Sequence, residues 1–372
     1  MPGRLIDFLS EKIHGPQDDD VLNMCAEEVK RGCSEQAAKI IKKAYRSRKI
    51  TESDAREYIR NLEYCNDIKE IIKRFAVYDP PAENKKTYDR NSAIVGAIYG
   101  DIAGSRYEGK RINLEENVPD EPPGLLFHMT DDSILTLATL QAIQEDRQPE
   151  LRNQMSLTDI TRTNAYPYRE NPFTQIYKDA VRMYPDAGYG GHFLQWGFSE
   201  DPDPYGSCGN GAAMRVSPVG AIFDDRKQVI IHAFRSAMAT HNHIEGVKGA
   251  VVTAMCIRMA RAGYSKEQIL GYVQKHYSYG TVLFREWTYG EACRIKDCQI
   301  TCQYSVPAAV ISFAESLNFK DAIRNAVCVG IDNDTNACIC GGIAGAYYGV
   351  GDDVCNTVRD CCAQNRIGYP VC

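Results

Sequence analysis

Apolar residues recur along this chain at helical spacing. Leu5, Leu9 and Ile13 stand four apart. Ala55, Tyr58, Ile59 and Leu62 follow an i, i+3, i+4, i+7 pattern, and so do Ile68, Ile71, Ile72 and Phe75. Thr51 with Asp54 three residues later resembles a capping box opening the second of these helices. The pattern stops at VYDPPAENKKTYDRN, residues 77–91, whose paired prolines and polar composition predict a linker. The expected organisation is a helical accessory domain over residues 1–76, a linker over 77–91 and a larger domain over 92–372.

After the linker the periodicity stays helical but becomes rich in small residues. SAIVGAIYGDIAGSRYEG, from Ser92, places Ala93, Gly96, Ala97, Gly100, Ala103 and Gly104 where a helix packed closely on its neighbours would need them. Segments 130–146, 212–222, 228–240, 245–262, 265–277, 305–317, 319–328 and 335–349 also carry helical spacing, and strict alternation of β-branched residues is scarce. The predicted fold class is all-α: a compact multi-helix domain with a small helical N-terminal extension.

Composition adds limits. With 44% hydrophobic and 25% charged residues the 372-residue chain reads as globular, and its net charge of −6 gives no overall field favouring nucleic acid or an anionic membrane. The run KIIKKAYRSRK, residues 39–49, is locally basic. A solvated helix face explains it, with nucleic-acid contact as the lesser alternative. No stretch nears the ~18 apolar residues of a membrane span. The opening MPGRLIDFLSEKIHG has no long apolar core, so the expected location is cytoplasmic, without membrane contact. The 15 cysteines are odd in number and contain no C-x-x-C pair, which fits reduced thiols better than disulfides or zinc. The terminal YPVC is not a prenylation box.

Candidate chemistry starts at HMTDDSILTLA, residues 128–138. Thr130 can cap a helix with Asp131 and Asp132 in its first turn, where the helix dipole favours negative charge. The same hydroxyl and two carboxylates are the oxygen donors a hard cation prefers. A second such set, Asp332, Asp334 and Thr335, opens the small apolar run ending at Gly349, about 200 residues later. Close together in a dry core the two sets would repel unless cations lay between them, so the pair favours a binuclear divalent site over two caps. GDIAGSRYE is expected to turn between Gly100 and Gly104, bringing Asp101 and Glu108 together outside the apolar face. A helix ending near Gly104 followed by a surface glutamate is the plainer alternative. In YGSCGNGAAMRVSPVG, Gly206, Gly209, Asn210 and Gly211 form a loop whose amides can approach an anion before a helix beginning at Ala212. His241 and His243 are two apart, which on a helix excludes a shared zinc. YPDAGYGGHFLQW, residues 184–196, reads as a glycine- and aromatic-rich loop, either lining a cleft or packed as an ordinary loop.

In that order, GAIYGDIAGSRYE, TDDSILTLA, GNGAAMRVSPVG, ATHNHIEGVKGA and DNDTNACICGGIAGAYYG resemble the ADP-ribosylglycohydrolase family, of the dinitrogenase-reductase-activating type, over residues 92–350. The resemblance implies an all-α fold, a centre of two divalent cations (Mg²⁺ or Mn²⁺), and cleavage of the glycosidic bond of an ADP-ribosyl group. By motif it implies Thr130, Asp131, Asp132, Asp332, Asp334 and Thr335 as metal ligands and Glu108 as the catalytic acidic residue. It places Ser207, Gly209, Asn210, Gly211, Met214 and His241 at the ADP-ribose. The implied partner is an ADP-ribosylated substrate, with an arginine-linked target as the main expectation. A small ADP-ribose derivative, or a non-catalytic ADP-ribose-binding regulator, stands as the alternative. The sequence departs from the family pattern at Ile331, where glycine is common, at Asn336, and at Ser133 in place of threonine.

Overall fold

The computed structural model describes residues 89–110, 112, 128–145, 171–276, 292–293 and 300–368. These all fall in one compact unit. The accessory domain expected over 1–76, its capping box at Thr51, the basic run 39–49 and the linker up to residue 88 lie outside the described residues.

Every regular element among the described residues is a helix; the one β feature is an isolated antiparallel bridge between Gly209 and Thr301. In chain order the helices are α1 (Arg90–Ser105), α2 (Asp131–Glu145), α3 (Pro172–Met183), α4 (Gly191–Phe198), α5 (Gly211–Met214), α6 (Ser217–Ile222), α7 (Arg226–Met238), α8 (Ile244–Arg261), α9 (Lys266–His276), α10 (Cys302–Ala314), α11 (Phe319–Cys328), α12 (Asn333–Tyr348) and α13 (Asp352–Gln364). The all-α expectation holds. No described helix is long and apolar enough to cross a membrane.

The centre is the antiparallel pair α1 and α12, which form the most extensive helix contact in the unit. Their small residues mesh in four-residue steps: Gly96 faces the Gly341 carbonyl, Gly100 that of Ala337, and Gly104 the backbone of Asp334. A Cβ at Gly100 would overlap the Ala337 carbonyl, so the backbones can touch only because side chains are missing there. α8, α10 and α11 pack around α12, while α6 and α13 cover α1.

Local chemistry fixes several boundaries. Asp89 accepts a hydrogen bond from the Asn91 amide, so α1 starts at Arg90, two residues before the expected domain start at 92. The single helix expected over 212–222 is two, because Pro218 lacks an N–H and its ring would meet the carbonyl of Met214. That carbonyl instead accepts from the Thr136 hydroxyl and the Cys338 thiol, each at 3.4 Å. Sequence spacing did not reveal α3, α4 or α13, and the stretch 184–196 read as a loop is helical from Gly191 onward.

Candidate active site

α1 does not turn between Gly100 and Gly104. It runs through to Ser105, and Asp101 is fully buried on it rather than outside the apolar face. Its two carboxylate oxygens take hydrogen bonds from the Thr130 amide (2.9 Å), the Thr130 hydroxyl (2.7 Å), the Ser133 amide (3.1 Å) and the Ser133 hydroxyl. Asp101 therefore caps α2 from a neighbouring helix, satisfying amides that would otherwise be orphaned. Thr130, the residue expected to cap α2, reaches the Asp132 amide only at 3.4 Å. With the cap supplied from α1, Asp131 and Asp132 are free to face elsewhere.

They face a cavity of about 400 Å³. Glu108, Asp131, Asp132, Asp332, Asp334 and Thr335 line it, together with Ser207, Gly209, Asn210, Gly211, Met214 and His241. The two ends of the chain's donor pattern thus meet: the Thr335 hydroxyl donates to Asp132 at 3.1 Å. Thr130 is buried behind this wall, with its hydroxyl turned onto Asp101. The carboxylate oxygens of Asp101, Asp132 and Asp334 lie within 4.8 Å of one another.

The surroundings hold these groups in place. Asn210 donates to Asp332 and, at 2.9 Å, to Ser305, bridging the glycine loop to the second acidic set. The Gly109 amide donates to the Ile331 carbonyl at 2.7 Å, which ties the Glu108 turn to the same loop. The Asp131 amide donates to Ala187 at 2.7 Å, anchoring the stretch before α4. There Tyr189 stacks on Phe193 at 5.5 Å, and Gly188, Gly190, Gly191, His192 and Phe193 form one side of the cavity. The glycine loop is braced against residues 300–302 by the Asn210 amide to Ile300 (3.0 Å) and the Cys302 amide to Cys208 (3.1 Å). The Gly209 amide is taken by Ser207. Two of the amides expected to hold an anion are therefore already engaged within the protein.

Electrostatically the cavity is extreme: among the described residues five carboxylates line it and no lysine or arginine does. Burial, then the charge of Asp101 and its acidic neighbours, pushes Asp131 up to about 8. Burial and Asp332 push Asp334 up to about 9. Asp132 rises well above its ordinary value through burial and then Asp334, and burial also raises Asp101 and Asp332. Glu108, exposed at the rim, is raised by partial desolvation and then by Asp332 and Asp101. The Oδ1 of Asp132 is buried without any donor. Converging all-oxygen donors, an orphaned buried carboxylate oxygen and no cationic side chain among the described residues of the wall together fit hard divalent cations.

Sequence reading noticed Asp101 but set it beside Glu108 outside the core and missed its buried place and its role as a cap. It lies one position after Gly100, so its face of α1 follows from the glycine stripe. Its partners, however, are about 30 residues away and became visible only in three dimensions.

Comparison with known proteins gives the family. The family described as ADP-ribosylglycohydrolase matches residues 85–362. The ADP-ribosylhydrolase ARH3 of Xenopus tropicalis is 24% identical over 307 residues, spanning 69% of this chain and 86% of that protein. ADP-ribosylhydrolase ARH3 of Gallus gallus is 24% identical over 323 residues, spanning 69% and 84%. A solved structure titled ADP-ribosylglycohydrolase-related protein complex covers 74% of this chain and 96% of its own, at 19% identity and a TM-score of 0.49. These vertebrate relatives carry the ARH3 name, so the match is to the family, not to the dinitrogenase-reductase-activating type within it.

Proposed function

Because the chain belongs to the ADP-ribosylglycohydrolase family and is a hydrolase of ADP-ribosyl linkages, we propose that the acidic cavity is its active site and that it works with two divalent cations, Mg²⁺ or Mn²⁺. The observation that carries this reading is the convergence of both acidic sets, from α2 and from the start of α12, on one cavity with an unsatisfied buried carboxylate oxygen. Asp131, Asp132, Asp332, Asp334, Thr130 and Thr335 would hold the cations, with Asp101 orienting Thr130 and Ser133 behind them. The cations would supply positive charge to the ribose hydroxyls and to a water.

The remaining work falls to the chain's own groups. Glu108 stands at the rim, and its raised affinity for protons suits a group that accepts one from the attacking water. The water oxygen bonds to the anomeric carbon as the bond to the leaving group breaks, and the proton that Glu108 takes from the water balances the one the leaving group gains on departure. Asn210 holds Asp332, and the Gly109–Ile331 bond keeps Glu108 beside that carboxylate. Ser207, Gly209, Gly211, Met214 and His241 form the wall that would receive the ADP-ribose.

An arginine-linked target suits the acidic mouth, where Glu108 and half-buried Asp131 would attract a guanidinium. A second reading is a free ADP-ribose conjugate with a small leaving group, since about 400 Å³ is the scale of a small-molecule site. The test is release of ADP-ribose from arginine-linked, serine-linked and small-molecule conjugates in Mg²⁺ or in EDTA. Turnover that needs the cation and is lost in Asp334→Ala supports the site. Turnover retained by that variant in EDTA refutes it, and the preferred conjugate decides between the two leaving groups.

A further inference from the structure

Arg215, on the turn between α5 and α6, is fully buried, yet among the described residues it forms no ion pair with any carboxylate. Its guanidinium lies 4.4 Å from the centre of the Tyr177 ring and 5.6 Å from that of Phe193, so aromatic faces take the place of a counter-ion. One nitrogen donates both to the Ser236 carbonyl and to the Thr240 hydroxyl, each at 2.9 Å. A buried, unpaired cation is costly, and the only side-chain acceptor it meets among the described residues is the Thr240 hydroxyl.

The hydroxyl passes the effect on. Thr240 Oγ1 is 2.7 Å from His241 Nδ1 and has no third partner among the described residues. A guanidinium can only donate, so one lone pair of Oγ1 is taken by Arg215. The second lone pair could accept from an Nδ1–H, but the buried hydroxyl proton would then have no acceptor; the fully paired arrangement sends that proton to Nδ1, which is the acceptor. A neutral imidazole accepting at Nδ1 carries its proton on Nε2. Burial, and then the charge of Arg215, hold His241 well below the usual histidine range, so a second proton does not scramble this assignment.

Nε2 faces the glycine loop. A Cβ on Gly211 would come within 2.9 Å of it and one on Gly209 within 3.5 Å; both glycines and His241 line the cavity. The amides of Gly209 and Asn210 are consumed by Ser207 and Ile300. A neutral N–H backed by a nearby cation is therefore one donor this side of the cavity presents to an anion, and the chain of bonds polarises it.

We propose that Arg215 and Thr240 are positioning residues which, through one shared hydroxyl, fix His241 as an Nε2–H donor to a phosphate oxygen of the ADP-ribosyl diphosphate. The identity of that ligand rests on reading the cavity as the ADP-ribosyl site; the tautomer does not.

The experiment uses the full-length protein with ¹⁵N-labelled histidine, with the His241 ring signals assigned by their loss in His241→Gln. Ligand-free spectra of wild type, Thr240→Val and Thr240→Ser report the tautomer, and calorimetry with ADP-ribose reports affinity. Wild type and Thr240→Ser are expected to show the proton on Nε2, with Thr240→Val showing a mixture. Thr240→Val should also bind ADP-ribose about two- to fivefold more weakly, the inverse of the Nε2–H fraction its spectrum reports, raising KM with little change in kcat. Thr240→Ser should recover most of the loss, which a purely structural role would not produce. Arg215→Met should scramble the tautomer in the same way; if it fails to fold, the Thr240 pair still decides. A proton on Nδ1 in wild type, or a Thr240→Val spectrum like wild type, overturns the relay. The expected tautomer without any response to ADP-ribose overturns the assigned ligand, and with it the reading of the cavity.

Discussion

The seam between α1 and α12 and the cavity at its end are built from the same two helices and obey opposite rules. Along the seam, from Ser92 against Gly345 to Gly100 against Ala337, side chains are absent and backbone meets backbone. At the far end Gly104 rests on Asp334, and within one turn of it the molecule gathers carboxylates whose proton affinities are all raised and one of whose oxygens has no partner. The first region is satisfied and rigid; the second is held in a state it would not choose alone. The close packing of the seam lets the cavity keep its carboxylates together, since rigid helices cannot relax apart to relieve repulsion.

The harshest way to break this contrast is at the seam. Gly100→Ala should cost about 3 kcal/mol or more in denaturant unfolding, because its Cβ would strike the Ala337 carbonyl in the tightest part of the pair. Gly271→Ala, on the exposed face of α9 with nothing within 4 Å, should instead add about 0.5–1 kcal/mol. Equal effects would mean the seam is not the constraint it looks to be. At the cavity, Asp132→Asn should weaken cation affinity by roughly 10–100-fold or more, read by calorimetry with Mn²⁺. The same change should raise the unfolding temperature in EDTA at alkaline pH, because it removes a buried carboxyl that resists ionising.

The gentlest test varies pH. Unfolded aspartates lose their protons near the ordinary value of 3.8, whereas folded Asp131 keeps its proton up to about 8 and Asp334 up to about 9. Between those values the folded state binds more protons. The stabilising contribution is therefore complete below about pH 4 and is lost as pH rises through 8 to 9. Thermal unfolding in EDTA should show this decline, and Mg²⁺ should raise the midpoint more at pH 9 than at pH 6. A flat profile would mean the carboxylates do not feel one another.

The contrast also explains what was legible in the sequence. Apolar and small-residue periodicity marked α8, α11 and α12 closely, because a buried face repeats every turn. α3 was overlooked although Asn171 caps it and Pro172 opens it, a start signal that needs no tertiary context. α13 likewise carried Val354, Val358 and Cys362 four apart. In α4 the neighbouring glycines and aromatics masked a short helix whose stability comes from Tyr189, Phe193 and Trp196 packing together. The acidic sets were visible because each is contiguous. Asp101 was noticed but misplaced, because a lone aspartate among small residues gains its meaning from Thr130 and Ser133, which the fold brings to it. The glycine loop was read for its amides, and the bracing by residues 300–302 that occupies them is likewise non-local.

The pairing of α1 with α12 has a consequence for how the molecule comes into being. A helix near residue 100 must wait for one near residue 340 before its glycine face finds a partner, so the central contact closes a loop of about 240 residues. During synthesis at ~5–20 residues per second, that leaves α1 unmatched for roughly 10–50 seconds. Glycine lowers its helical propensity meanwhile, and contacts so distant in sequence slow folding. The cavity, which depends on both partners, therefore cannot appear until α12 has been made.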